Sequence, residues 1–375
     1  MTTPALPTAD DLRAAFDAPA SLTVGLEEEL MVLDPGSLDL APIAREVLAA
    51  VGADARFKRE LPAAQVEIAG RPAATVAEAA ADLTAARHAL VEATDGLARF
   101  ADAGVHPFAA GEGVLSGHER YAYTRREFGP VARRQLVFGL HVHVAVQGAD
   151  RAVAVHNALR GHLPELAALG ANAPFYEGRA SGLDSVRPKL SELLPRQGVP
   201  PVIGSLDELA AAYHWGTEAG VLASPAQWWW ELRLHPVHAT VEVRVPDTQA
   251  TTAETAALGA VVHALVARLA ERHDTGDLSI PADGWRIEEN RWSACRHGTR
   301  GTMADLRTGR ATATAGRLHT LLDELEPTAA RLGCTRELHD ARGLVEANGA
   351  QRQRVAAAEG GARAAAAWLA DRFLG

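Results

Sequence analysis

Cysteine and lysine are both scarce in this chain of 375 residues. Two cysteines, Cys295 and Cys334, are too few for a disulfide framework or a four-cysteine zinc site. The only lysines are Lys58 and Lys189, and 47 acidic against 37 basic residues give a net charge of −10. Because proteins bind phosphate backbones with clustered lysine and arginine, this charge argues against a nucleic-acid partner.

Long apolar runs and glycine-rich phosphate loops are missing as well. No uninterrupted apolar stretch reaches about 18 residues, so we expect no membrane span. The N-terminal stretch MTTPALPTADDLRAAFDAPA has neither the basic start nor the apolar run of a signal peptide, and we expect a cytoplasmic protein. Neither G-x-G-x-x-G after a strand nor G-x-x-x-x-G-K-[ST] occurs, so any nucleotide is held by other means.

Hydrophobic periodicity predicts an α+β protein. Predicted strands cover residues 23–33, 57–70 and 135–146, a hairpin built from 228–236 and 240–248, and a strand or strand end at 104–110. Predicted helices cover residues 8–17, 42–51, 74–103, 150–170 and most of 251–375 apart from an interruption near 276–312, while 111–130 is a loop leading into a helix. Strands in hairpin-like pairs with helices gathered late favour a largely antiparallel sheet. No linker divides the chain, so we predict one domain over 1–375, mostly helical from about 313.

Several predicted strands place only acids, histidines or arginines on one face. Side chains alternate along a strand, so Glu27 and Glu29 share a face, whereas Glu28 falls on the apolar one. The matching faces of the other strands carry Glu67 with Glu60 just upstream, His141 and His143, Arg233, and finally Glu242 and Arg244. A sheet with one solvent-exposed face would explain the polar residues of any single strand. Solvent-exposed faces, however, usually also carry Lys, Ser and Thr. For Glu28 we expect a buried ion pair with an arginine, or a position at the strand end.

Many carboxylates on one sheet face repel one another unless cations lie among them. Ligation by many oxygens and few nitrogens suits Mg²⁺ or Mn²⁺ better than Zn²⁺, and Mg²⁺ often takes substrate phosphates as further ligands. We therefore interpret this face as the floor of a site where metal ions connect the sheet to a polyphosphate. Arg244 is two residues from Glu242 and therefore lies on the same face of the strand. From there its guanidinium could stabilise a transferring phosphoryl group.

A series of motifs runs in order over about residues 22–310. They read GLEEEL, ELx4VEI, HPF, ERY, GLHVHV, NAPFYEGR followed by SVR, TVEVRVPD and ENRWSACRHG. In this order they resemble the carboxylate–amine ligases related to type 2 glutamate–cysteine ligase. The resemblance implies a glutamine-synthetase-like fold, in which a curved antiparallel sheet lines a funnel-shaped active site and helices pack outside.

The resemblance also implies a reaction. ATP phosphorylates a carboxylate, typically the γ-carboxylate of glutamate, and an amine, by default that of cysteine, attacks the acyl phosphate to give an amide, ADP and phosphate. It implies one Mg²⁺ held by Glu27, Glu60 and Glu242, and a second held by Glu29, Glu67 and His141. Both ions would neutralise charge and act as templates, and Arg244 would stabilise the phosphoryl transition state.

Further residues take substrate roles from the same resemblance. Arg187 is expected to hold a substrate carboxylate through a bidentate pair, with Arg120 in the same pocket. Weaker matches place Asn172 and Arg179 in or beside the substrate site, and His143, Arg233 and Arg300 at the phosphates or ATP. We expect small-molecule substrates and a homodimer, since the sheet needs its edges covered.

Two other functions remain open at this point. A metal-dependent amide hydrolase could use the same carboxylates without ATP. A catalytically silent homologue could bind metal or nucleotide without turnover. Consumption of ATP separates the ligase from both.

Overall fold

A computed structural model describes residues 6–18, 22–281 and 283–375 of the chain. At its centre, seven strands form an antiparallel sheet in the order β2-β3-β1-β5-β9-β8, with β4 beside one end of β1. The strands are β1 (Val24–Leu33), β2 (Phe57–Arg59), β3 (Gln65–Ala69), β4 (Arg99–Ala101), β5 (Leu140–Ala145), β6 (Phe175–Tyr176), β7 (Arg179–Ala180), β8 (Leu232–His235), β9 (Thr240–Val243), β10 (Thr302–Ala304) and β11 (Ala311–Ala313). β6 with β7, and β10 with β11, form separate two-stranded ribbons.

Helices surround this sheet. They are α1 (Ala9–Asp17), α2 (Ala44–Val51), α3 (Val76–Ala93), α4 (Ala122–Ala132), α5 (Ala149–Leu159), α6 (Leu163–Leu169), α7 (Arg187–Ser191), α8 (Leu206–Glu218), α9 (Thr252–Asp274), α10 (Gly284–His297), α11 (Thr314–Leu332), α12 (Thr335–Glu346), α13 (Gly349–Ala356) and α14 (Gly361–Asp371). Local sequence explains several ends. At α3, Thr75 and Glu78 form a capping box in which each side chain accepts the other's backbone N–H. α11 ends at Gly333, whose φ of +68° suits glycine.

The apolar face of the sheet is buried under α3, α5 and α9. Val24, Leu26 and Leu30 of β1 are fully buried and belong to one large apolar cluster with residues of these helices. Gly259 lets α9 approach closely, because a Cβ there would lie 3.1 Å from Leu26. α9 is long and apolar enough for a membrane span by length and composition, but 89% of its most apolar window is buried, as in a core helix.

The α+β fold with an antiparallel sheet is confirmed, although several predicted boundaries are wrong. The helix predicted over 74–103 ends at Ala93, and Gly96 (φ +71°) turns the chain into β4. Residues 104–110 contain no strand among the described residues. The predicted interruption of the helices near 276–312 contains α10. This helix was not predicted because it has too few apolar residues to show a clear helical periodicity. The tryptophans at 228–230 precede β8 instead of lying in it.

Candidate active site

The polar face of the sheet forms the floor of a cavity of about 320 Å³. Among the residues predicted for the site, those lining the cavity are Glu27, Glu29, Glu60, Glu67, Arg120, His141, Arg187, Arg233 and Arg244. Glu242 and His143 lie directly behind this lining, where both are buried. The structure thus brings together most of the predicted residues from β1, β3, β5, β8 and β9.

Strand register sets which side chains meet on this floor. Glu27 of β1 pairs across the strands with His141 of β5, and Glu29 pairs with Glu67 of β3. Glu242 of β9 lies opposite His143 on one side and Arg233 on the other. Opposed side chains on one face lie close together, so these pairs are direct neighbours.

Two carboxyl groups on the floor hold protons more tightly than usual. Burial and the neighbouring charges of Glu27 and Glu60 raise the pKa of Glu67 well above its ordinary value. Burial and the charge of Glu29 raise the pKa of Glu60 to about 7. Tyr121 donates a hydrogen bond to Oε2 of Glu60 at 3.1 Å. Both pKa values rise because the acidic side chains of the floor repel one another and are buried, so the floor favours added positive charge.

Glu27 differs from these two because histidines contact it. Its Oε2 lies 3.4 Å from Nδ1 of His141 and 3.5 Å from Nε2 of His143. Burial works to raise the pKa of Glu27, but the contacts with both histidines outweigh burial and hold it well below its ordinary value. Burial and the charge of Arg244 lower the pKa of His141. An anionic carboxylate beside a neutral imidazole is the protonation state that metal ligation requires.

Glu242 is fully buried and held by two arginines. Nη1 of Arg244 lies 2.6 Å from its Oε1, and Nη2 of Arg233 donates to the same oxygen at 3.1 Å. Burial opposes ionisation, but the charges of Arg233 and Arg244 hold the pKa of Glu242 well below its ordinary value. The pairing orients both arginines, which also line the cavity.

Two groups of these side chains have the spacing of metal ligands. The ligand atoms of Glu27, Glu67 and His141 lie within 4.8 Å of one another, and so do those of Glu27, His143 and Glu242. Nε2 of His143 is buried and has no hydrogen-bond partner among the described residues, which fits a nitrogen placed to ligate a cation.

This grouping differs from the sequence-based one. Glu27 belongs to both groups, whereas the prediction gave it to one ion with Glu60 and Glu242 and placed Glu29 with the other. The register that sets Glu27 opposite His141, and His143 opposite Glu242, is the physical reason. Glu29 and Glu60 still line the same cavity.

Arg187 lines the cavity, but most of its guanidinium is already engaged. Nε donates to Oδ1 of Asp247 at 3.1 Å, and Nη2 donates to the carbonyl oxygens of Arg244 and Pro246, both at 2.8 Å. The resemblance implied a bidentate pair with a substrate carboxylate. If such a pair used Nη2, the hydrogen bonds from Nη2 to the two carbonyl oxygens would have to break. Nη1 donates no hydrogen bond among the described residues, so it is the nitrogen left for a ligand.

Three predicted residues lie away from the cavity. Asn172 is fully buried, and its amide donates to the carbonyl oxygen of Thr248 at 2.8 Å. Arg179 is exposed on β7, and Arg300 is exposed just before β10. The motifs placed Asn172 and Arg179 near the substrate and Arg300 near the phosphates or ATP, whereas the path of the chain carries all three elsewhere.

Sequence reasoning missed other residues in the cavity or in contact with its acidic floor. Nζ of Lys58 lies 3.4 Å from Oε1 of Glu67 and 3.8 Å from Oε1 of Glu27. Tyr121 could have been found, since it adjoins Arg120 in the ERY motif. Trp229, from the predicted strand at 228–236, also lines the cavity, and its ring centroid lies 5.8 Å from that of Phe128 in α4. No local pattern indicated Lys58, because its position depends on the pairing of β2 with β3.

Proteins with similar sequences belong to one ligase family. Residues 23–366 match the model of Glutamate-cysteine ligase family 2. A Rubrobacter xylanophilus protein provisionally named glutamate–cysteine ligase 2-3 is 38% identical over 372 residues, covering 96% of this chain and 99% of that protein. A Gloeobacter violaceus protein with a similar provisional name is 33% identical over 352 residues, covering 90% and 93%.

Solved structures show a similar fold. The crystal structure of glutamate–cysteine ligase from Francisella tularensis in complex with AMP has a TM-score of 0.67 at 12% identity, covering 96% of this chain and 89% of that one. The bifunctional glutathione synthetase from Pasteurella multocida has the same TM-score at 13% identity, covering 97% of this chain and 53% of that one.

Proposed function

We propose, from the premise that this chain belongs to glutamate–cysteine ligase family 2, that it joins the γ-carboxylate of L-glutamate to the amine of an amino acid. The chain is an ATP-dependent carboxylate–amine ligase, and the choice of glutamate and of cysteine as the default acceptor is our proposal. One observation carries it: a single cavity combines an acidic floor suited to cations with arginines suited to phosphate and carboxylate.

The chemistry has two steps. A γ-carboxylate oxygen attacks the γ-phosphorus of ATP and ADP leaves, giving an acyl phosphate. The amine nitrogen then attacks the acyl carbon, loses a proton and expels phosphate. Arg244, held by Glu242, stabilises charge on the transferring phosphoryl group, since a preoriented guanidinium needs no reorganisation during reaction. Nη1 of Arg187 binds the carboxylate substrate, and Arg120, whose Cζ lies 5.5 Å from the ring of Tyr121, adds positive charge nearby.

We propose that two divalent ions bind the floor, one through Glu27, Glu67 and His141 and the other through Glu27, His143 and Glu242. The spacing of these atoms supports this assignment, as does Nε2 of His143, which makes no hydrogen bond to any described residue. The excess of oxygen ligands favours Mg²⁺, with Mn²⁺ as an alternative. Such ions would neutralise the charge of the polyphosphate.

Several wider expectations remain proposals. We propose that the chain works as a single catalytic domain in the cytoplasm, as a homodimer, on small molecules and without nucleic acid or membrane partners. One large apolar cluster extending from Leu12 to Phe373 supports a single domain. The net charge of −10 is consistent with the absence of a nucleic-acid partner.

The test is magnesium-dependent phosphate release from ATP, with glutamate and a panel of amino acids and simple amines. We expect phosphate release matched by formation of one γ-glutamyl amide, identified by mass. Amide hydrolysis without nucleotide would favour a metal-dependent hydrolase instead. Tight nucleotide binding without turnover on any pair would favour a catalytically silent homologue.

Lys58 should weaken metal binding to the floor. Its ammonium group lies within 4 Å of both Glu27 and Glu67, so it must move when a dication binds between them. Replacing Lys58 with methionine should tighten Mg²⁺ binding to the nucleotide-free protein by about tenfold or more, measured by titration calorimetry.

The chain's other lysine offers a matched control, because among the described residues its ion pair is with Glu192 and not with an acid of the floor. Lys189 pairs with Glu192 at 2.7 Å, and Lys189→Met makes the same change in net charge. Lys58→Arg, which keeps the charge, should behave like the native chain. Equal or weaker Mg²⁺ binding by Lys58→Met would refute this role.

A further inference from the structure

The orientation of Arg187 depends on a carboxylate that lies outside the cavity. Asp247 follows β9, is almost fully buried, and is absent from the cavity lining, yet its Oδ1 accepts a hydrogen bond from Nε of Arg187 at 3.1 Å. With Nη2 bound to two backbone carbonyl oxygens, this bond fixes the plane of the guanidinium. Nη1 is then the nitrogen left to meet a ligand.

Asp247 is itself held by donors on both oxygens. Oγ of Ser185 donates to Oδ1 at 3.0 Å, and the backbone N–H of Asn172 donates to Oδ2 at 2.7 Å. Gly104 leaves room for the carboxylate, since a Cβ there would lie 2.4 Å from Cγ of Asp247. Because Arg187, Ser185 and Asn172 all donate to this carboxylate, the site fits an acceptor with two equivalent oxygens and disfavours an amide.

A second layer anchors these donors. The side-chain amide of Gln353 in α13 donates to the backbone oxygen of Asn172 at 2.8 Å and to its Oδ1 at 2.7 Å. Asn172 is buried between this helix and the strand end. The network therefore runs from the C-terminal helices through Asn172 and Asp247 to Arg187.

We propose that Asp247 is a positioning residue, which orients Arg187 so that Nη1 meets the carboxylate substrate. Asp247 touches neither substrate nor nucleotide and acts through Arg187 alone. This gives Asn172 an indirect role in place of the substrate contact suggested by its motif. The inference rests on the proposed function in taking Arg187 as the group that binds the substrate carboxylate.

The decisive variant is Asp247→Asn, because an amide nitrogen must then face one of the donors. We expect KM for glutamate to rise tenfold or more, with KM for ATP unchanged and kcat at saturating glutamate within threefold of native. A defect of folding alone would lower the active fraction and leave KM for glutamate where it was.

Asp184, which precedes Ser185 in the chain, provides a matched control. It is also a buried aspartate paired with an arginine, since Nη1 of Arg354 lies 2.5 Å from its Oδ1, but neither residue lines the cavity. Asp184→Asn should lower thermal stability without shifting KM for glutamate. Should Asp247→Asn yield no soluble protein, Ser185→Ala removes one donor to Oδ1 and should raise KM for glutamate about threefold.

The outcomes separate this inference from the proposed function. An inactive native chain with glutamate would overturn the proposed function and, with it, the glutamate role of Arg187. An active native chain with an unshifted KM in Asp247→Asn would overturn the positioning role alone. An equal rise in KM for Asp184→Asn would also overturn it, because the effect would then be general loosening of the fold.

Discussion

Replacing Glu27 with glutamine should lower the rate of ATP turnover about a hundredfold to a thousandfold. This is the range typical for the loss of one group that stabilises charge in the transition state. Glu27 is common to both groups of candidate metal ligands and contacts both histidines of β5. A neutral amide keeps the shape of the side chain but loses the charge that holds a dication. The measurement is steady-state phosphate release with glutamate and the best acceptor.

The fold should survive this substitution. Removing the charge of Glu27 weakens its contacts with the two histidines but relieves its repulsion of Glu67, and these two effects on stability oppose each other. We therefore expect a native melting temperature for the metal-free variant and a smaller increase on adding Mg²⁺. Glu46→Gln on the exposed surface of α2 is the control. Native turnover by Glu27→Gln would show that the metal assignment is wrong.

Replacing Arg87 with methionine should lower the free energy of unfolding by about 3–5 kcal/mol, the cost of leaving buried charge unpaired. Arg87 of α3 is buried, and its Nη2 lies 2.7 Å from Oε2 of Glu28 and 2.6 Å from Oδ2 of Asp102. Nη1 also donates to the carbonyl oxygen of Phe373 at 2.9 Å. One side chain thus connects the sheet to the C-terminus. Denaturant titration measures the change.

Two controls separate charge from packing. Arg71→Met removes an exposed partner of Asp82 and should leave the free energy of unfolding almost unchanged. Neutralising the whole cluster, with Glu28→Gln and Asp102→Asn added to Arg87→Met, should recover part of the loss. A loss below about 1 kcal/mol in Arg87→Met alone would contradict the prediction.

The loss should also depend on pH. Burial raises the pKa of Asp102 well above its ordinary value, and Arg87 opposes that rise. Without Arg87 the pKa rises further, so the folded variant keeps a proton that the unfolded chain releases above about pH 4. The free energy of unfolding of the variant then falls as the pH rises from about 4 towards the raised pKa of Asp102. Because the native chain shares the raised pKa, we expect the loss relative to it to be constant at low pH and to grow once the pH passes the point at which native Asp102 releases its proton, as measured by denaturant titration over a pH series.

Alternation along the strands was enough to predict much of this arrangement. A period of two residues is a local property, so Glu27 and Glu29 could be assigned to one face before any strand was paired. The same rule isolated Glu28 on the apolar face and led to the expected buried ion pair, which Arg87 confirms. Local periodicity could not show that the helix predicted over 74–103 stops at Ala93, because alanine-rich sequence continues past it.

By itself, the sequence determined the α+β class, the polar face and the types of side chain on it, because each follows from residues next to one another. Only the tertiary structure decided the register that makes Glu27 common to both groups of candidate metal ligands and brings Lys58 into contact with Glu27 and Glu67. It also decided that Asn172 supports Asp247 instead of facing the cavity. Register and burial depend on contacts between distant segments, and no local spacing specifies them.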